Sequence, residues 1–246
     1  YRTYMTASLS PMGTQQRPLS YAPSSLSKRE KVVYGFLPYW TIKTAQIPQE
    51  LTTIAYFSLS LGRNGSFIVQ QNGERDLGWY TFSSSSSIET LRTLVKNQKQ
   101  KLDIVITMMD ADDISAFLLN PKAQETAIVN IKTLIKTQPI NGINIDIEYA
   151  GVVTPALRAQ FSSFIRSLSK ELKRLDSSIQ LSVDVFADAA TKERIWDIPA
   201  LAQSVDYIVV MAYDFFRSSS IQSGPVAPLF GSEKNRWDTD IAKNLK

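Results

Sequence analysis

Two acids and an amide stand at alternate positions in one short run, Asn141-Gly142-Ile143-Asn144-Ile145-Asp146-Ile147-Glu148-Tyr149. Apolar and polar residues alternate strictly, and the apolar ones are β-branched, which is the pattern of a β-strand. On such a strand Ile143, Ile145 and Ile147 share one face, and Asn144, Asp146 and Glu148 share the other. Neighbours on that face stand roughly 6–7 Å apart, close enough to couple directly or through one substrate group. A half-buried antiparallel strand with a wet face has the same alternation. Asn and Asp are poor strand formers, however, and adjacent carboxylates repel unless one is protonated or the pair is used. A Glu whose pKa is raised by a neighbouring Asp is a natural general acid.

Composition narrows the chemistry. The 246 residues include no Cys and no His. Thiolate nucleophiles, Ser-His-Asp triads and His/Cys zinc sites are therefore excluded. Acid–base work must rest on Asp, Glu, Tyr or Lys, and neither a cofactor nor a metal is expected. The net charge of +4 is spread out, without a basic cluster interleaved with aromatics, so a nucleic-acid partner is not expected. No run of about 18 apolar residues is present, so no membrane span is expected. No GxGxxG or GxxxxGK loop follows a predicted strand, and nothing supports nucleotide binding.

The elements around the run follow from periodicity. Residues 1–30 are Ser/Pro-rich without periodicity and read as a disordered leader or linker; residues 31–246 read as the folded domain. Strands are predicted at 32–37, 51–61, 103–109, 141–149, 180–187 and 205–213, the first and last of them as buried apolar runs. A hairpin-like excursion ending near Trp79 carries turns at Gly62-Arg63-Asn64-Gly65 and Asn72-Gly73. Helices are predicted over 47–51, from an N-cap at Ser87, from a cap at Asp112 or Asp113 through Leu119, and over 122–137. A helix of about twenty residues follows Thr154-Pro155, a short one covers 198–203, and a last one starts near Asp238. Trp79 and Trp237 are expected to be packing or surface aromatics. Strands alternating with helices make a parallel sheet, either doubly wound or an incomplete (β/α)8 barrel with about six βα units. In a barrel the C-terminal strand ends carry the chemistry. Asp146, Glu148, Tyr213, Asp214, Asp184 and Trp40 all sit there.

The run GINIDIE resembles the signature strand of glycoside hydrolase family 18, the chitinases and their relatives, whose pattern is DGxDxDxE. Met211-Ala212-Tyr213-Asp214 resembles that family's MxYD strand end, and Gly224-Pro225 through Pro228-Leu229 the loop after it. Gly35-Phe36 with Trp40 resembles its first strand and exit. The motifs fall in the family's order over residues 31–246, closest to bacterial envelope members. The resemblance implies a TIM-type barrel, lacking here its seventh and eighth strands, and hence a chain that is C-terminally incomplete. It implies a glycosidase cleaving β-1,4 bonds next to N-acetylglucosamine in chitin, peptidoglycan or N-glycans, by a substrate-assisted, retaining route. Glu148 would protonate the glycosidic oxygen, Asp146 would orient the acetamido group, and Tyr213 would hydrogen-bond its oxygen. Asp214, Trp40, Asn144 and Met211 would complete the sugar site, Asn144 as support for the acids. The implied protein is a monomer, extracellular or in the cell envelope. A non-catalytic, lectin-like module of the same fold is the alternative. Against the family pattern, Asn141 and Asn144 replace its first two acids. Thr107-Met108-Met109-Asp110 replaces SxGG, with Thr107 expected to pair with Asn144 and both methionines expected to line the cleft.

Overall fold

The computed structural model describes residues 31–231 and 240–244. Its strands, in chain order, are β1 (Tyr34–Pro38), β2 (Thr53–Ser60), β3 (Gln70–Gln71), β4 (Glu74–Arg75), β5 (Lys101–Met108), β6 (Gly142–Ile147), β7 (Gln180–Phe186) and β8 (Tyr207–Met211). Its helices are α1 (Leu77–Ser84), α2 (Ser86–Gln98), α3 (Ala111–Leu118), α4 (Pro121–Thr137), α5 (Pro155–Leu175), α6 (Ile198–Leu201) and α7 (Ile241–Asn244). The short β3 and β4 form a hairpin around Asn72 and Gly73, both at positive φ (53° and 82°). A two-residue turn whose twist matches its strands requires that backbone.

The other six strands make one parallel sheet, in the order β1-β2-β5-β6-β7-β8. That order follows the chain without reversal. A doubly wound sheet reverses at a switch point, so the arrangement is six parallel strands of a barrel-type fold, with no helix between β1 and β2. Helices cover one face. There Ile104, Ile106, Ile143, Ile145, Ile147 and Val183 pack with Phe117, Phe161, Phe164 and Leu168. The other face carries Asp103, Thr107, Asn144, Asp146, Ser182 and Asp184, all buried. The pleat separates the two sets: one residue in two goes to the apolar layer and its neighbour to the inner, polar one.

Several local expectations need correction. Residues 47–51 hold a turn, with Leu51 N–H meeting Pro48 C=O at 3.3 Å, and no helix. The stretch around Trp79 is helical: Asp76 caps α1 by accepting from Trp79 N at 2.7 Å. Because α1 runs through Ser84, the cap of α2 is Ser85, not Ser87; Ser85 Oγ accepts from Ser87 N at 3.1 Å. Likewise α3 is capped by Asp110, whose Oδ1 accepts from Asp113 N at 2.9 Å, and Asp112 and Asp113 lie in its first turn. At the ends of the open sheet, β1 and β8 each pair with one strand, so β8 is half-buried throughout and Phe36 of β1 is exposed. The leader at 1–30, Trp237 and the helix start near Asp238 lie outside the described residues.

Candidate active site

Strand β6 points Asn144 and Asp146 to the inner face, and the chain leaves the sheet at Glu148. The Glu148 N–H donates to Met108 C=O at 2.9 Å, which fixes the exit against the end of β5. Parallel pairing sets β7 alongside, with Asn144 opposite Ser182 and Ile145 opposite Val183. The amide of Asn144 donates to Ser182 Oγ at 2.9 Å and to Asp184 Oδ1 at 2.6 Å. On the other side Thr107 pairs with Ser58 at 3.1 Å. The expected Thr107–Asn144 pair is therefore not formed; each turns to the neighbour on its own flank. Asn144, expected among the sugar contacts, is fully buried and, like Asp146, is not among the residues lining the cleft; its amide serves Ser182 and Asp184.

The carboxyls form a column. Burial, reinforced by Asp184 and Glu148, pushes Asp146 up to about 8. Burial, opposed by the Asn144 amide and reinforced by Glu148, pushes Asp184 up to about 7. Glu148 is also raised: burial is the largest cause, the Arg217 guanidinium opposes it and Asp214 adds to it. Asp146 Oδ1 is buried and has no hydrogen-bond partner among the described residues. A buried acceptor without a donor is costly, unless it holds a proton or a ligand supplies one.

Above the column lies a cleft of about 610 Å³, lined by Glu148, Met109, Phe186, Met211, Tyr213, Asp214 and Arg217. Tyr213 and Asp214 follow β8 and are exposed. Burial, Asp146, Asp184 and Glu148 all raise the Tyr213 hydroxyl, which keeps it a donor. Asp214 adopts a left-handed backbone (φ 61°) and lies 3.5 Å from Arg217 Nε. Met109 lines the cleft, but Met108 is buried in the apolar layer, one pleat step away, contrary to the expectation for both. Trp40 stands at the exit of β1, 62% exposed, with its ring edge-on to Tyr39 and Phe57. It is not among the residues lining the cleft.

Several members of the site carry no signal in the sequence. Arg217 sits in a loop without periodicity, and its place beside Glu148 follows only from the fold. The wall formed by Asp188, Lys192 and Arg194 was likewise unread; Arg194 grips Asp188 through Nε at 3.0 Å and Nη2 at 2.6 Å. At the base of the sheet Tyr34 donates to buried Asp103 at 3.1 Å. An Asp at alternate spacing in the third predicted strand was its available signal. Among the described residues no cluster of His, Cys, Asp and Glu could hold a metal ion.

Comparison with known proteins gives concordant results. The model of the glycosyl hydrolases family 18 matches residues 14–245. The uncharacterized glycosylase YvbX of Bacillus subtilis (strain 168) is 26% identical over 167 residues, covering 67% of this chain and 45% of that protein. Chitotriosidase-1 of Mus musculus is 26% identical over 114 residues, covering 44% of this chain and 25% of its own. Among solved structures, catalytic domain 2 of the Group II chitinase of Ostrinia furnacalis superposes with a TM-score of 0.70 at 18% identity, covering 86% of this chain and 58% of that one. At that identity the likeness speaks for the fold. The chain spans about half the length of the relatives that match most of it. With the family's model matched over nearly the whole sequence, and its signature strand standing at the cleft, the chain belongs to the glycosyl hydrolases family 18.

Proposed function

We propose that the protein is a glycosidase that cleaves β-1,4 linkages beside N-acetylglucosamine, with the substrate's own acetamido oxygen as nucleophile. The observation that carries this reading is the placement of Glu148. Its carboxyl opens into a cleft, is raised by burial, and is flanked by Tyr213 above and Asp146 below. A protonated Glu148 would deliver its proton to the leaving oxygen as the glycosidic bond breaks. Attack by the acetamido oxygen would break the C1–O bond and close an oxazolinium ring with inversion at C1; water, giving its proton to the Glu148 carboxylate, would then open the ring with a second inversion, for net retention. The intramolecular nucleophile avoids the entropy of recruiting a second group. The unpartnered Asp146 Oδ1 is suited to accept from the acetamido N–H, and the Tyr213 hydroxyl to donate to the acetamido oxygen. Asp214 and Met211 line the same cleft and would contact the sugar; Trp40 on the rim offers an exposed ring for a more distant unit.

The substrate classes consistent with this chemistry are chitin, peptidoglycan and N-glycans. Such polymers imply an extracellular or envelope site of action. No helix of the described residues is long and apolar enough to cross a membrane. The test is to incubate the full-length protein with chito-oligosaccharides and with purified peptidoglycan, beside Glu148→Gln. Cleavage by the wild type that falls about 10²–10⁴-fold in the variant supports the reading. Binding without cleavage in both proteins favours a lectin-like module, and cleavage indifferent to the substitution removes Glu148 as the acid.

A further inference from the structure

The signature strand of this chain has an amide, Asn144, where the family pattern has an acid, and the fold places a carboxyl beside it from the next strand. We propose that Asp184 is a positioning residue that replaces the carboxyl missing at position 144 and, bridged by the Asn144 amide, holds Asp146 in its working orientation and charge.

The geometry is specific. The β6–β7 pairing runs as far as Ile145 opposite Val183, and Asp146 and Asp184 are the next residues of the two strands. Both side chains belong to the inner face, and each residue is 2% exposed. Asn144 Nδ2 reaches Asp184 Oδ1 at 2.6 Å, so the amide and the carboxyl match: an amide can donate where a carboxylate would repel. The groups facing Asp184 come from every side of the inner face. Asp146 and Glu148 belong to β6 and its exit, Tyr34 to β1, and Tyr213 follows β8. Across β8, Asp184 is opposite neutral Val209. Asp103 lies lower, bonded to Tyr34. The charged neighbour acting on Asp184 is thus negative, and the Asn144 amide is what favours its ionised form. Two buried carboxyls side by side cannot both ionise cheaply, so Asp146 and Asp184 hold one proton between them near neutrality. Asp146 carries the charge only when Asp184 keeps the proton. The Asn144 hydrogen bond favours the opposite division, with the proton on Asp146.

The kinetic consequences rest on the glycosidase reading; the coupling itself does not. In Asp184→Asn the competing carboxyl is gone, so Asp146 ionises at lower pH. The acidic limb of the kcat/KM profile should move down by about one pH unit. Loss of positioning should lower kcat about 10- to 100-fold with KM changed less than about threefold. The swap Asn144→Asp/Asp184→Asn returns the carboxyl to the signature strand and should recover most of kcat. A ¹³C-aspartate NMR titration follows the Asp146 carboxyl without any substrate, and should show the same downward shift in Asp184→Asn. A thermal melt checks that each variant folds; if Asp184→Asn does not, the swap, which retains both groups, is compared with the wild type. An unmoved Asp146 titration, or a folded swap that recovers nothing, overturns the proposal. A wild type that cleaves no glycan sinks the glycosidase reading instead and leaves the NMR result to decide the coupling.

Discussion

At Asp146, burial and two neighbouring carboxyls act in the same direction, and Asp103 and Asp184 share its burial. Their raised values, about 6 for Asp103, about 7 for Asp184 and about 8 for Asp146, mean that the folded chain binds these protons more tightly than the unfolded one. Unfolded aspartates titrate near 4, so the stability these groups contribute is full below about pH 4 and lost as pH climbs through 6, 7 and 8. Asp176 and Asp188, whose pKa values are lowered, act in the opposite sense and in a more acidic range. The melting temperature should therefore fall between about pH 5 and pH 8.5, and Asp146→Asn should flatten that slope. A wild-type Tm that rises over this interval would contradict the burial of charge described here. Tyr213→Phe removes a single donor at the cleft; on the proposed mechanism it should cost about 10²-fold in kcat, measured on chito-oligosaccharides. The alternation Asn144, Asp146, Glu148 could be read from the sequence because a strand has a fixed period of two. What could not be read is which strand lies alongside. That is why the alternation does not reveal the Asn144–Asp184 contact, and why it pairs Thr107 with Asn144 rather than Ser58.

The elements that carry these residues are held by close contacts between strands and by helices that cap well. A Cβ on Gly142 would lie 2.6 Å from Asp103 Oδ1 and 2.8 Å from Gln180 C=O. Gly142→Ala should destabilise the protein by about 1–3 kcal/mol in denaturant melts, with β6 displaced from its neighbours. Helix α5 shows how much of the fold is local: Thr154 Oγ1 accepts from Leu157 N at 3.2 Å, Pro155 opens the helix, and Leu157, Phe161, Phe164, Ile165, Leu168 and Leu172 form its buried stripe. Cap, proline and stripe are all sequence signals, and this helix was legible from end to end. Helix α1 was not, because its Gly and Ser residues are weak helix formers and Asp76 resembles any loop acid. Its amphipathic content is supplied by tertiary contacts, with Trp79 against Phe67 at 5.3 Å and Tyr56 Oη donating to Gly78 C=O at 2.8 Å. The missed caps at Ser85 and Asp110 have one cause. Where several Ser or Asp residues are adjacent, each is a plausible cap, and packing of the helix decides which is used.

Over the whole molecule, strand order did what strand prediction alone could not. Six buried runs fit both a doubly wound sheet and a barrel, and the uninterrupted order from β1 to β8 selects the barrel type. Strands β5 and β6 are paired on both sides and buried on both faces, whereas β1 and β8 end the sheet. Hydrogen exchange should therefore rank the amides of β5 and β6 slowest and those of β8 fastest among the six strands. Equal protection of β8 and β6 would show that the sheet is closed by contacts beyond those described. The central claim is that this scaffold delivers one protonated carboxyl, Glu148, to a leaving oxygen. Its most direct test is the leaving-group dependence of cleavage, using aryl glycosides of N-acetylglucosamine oligomers and comparing the wild type with Glu148→Gln. The account predicts that the variant loses about 10²–10⁴-fold on a basic phenol leaving group and much less on 4-nitrophenol, which needs little protonation. An equal loss on both would contradict it.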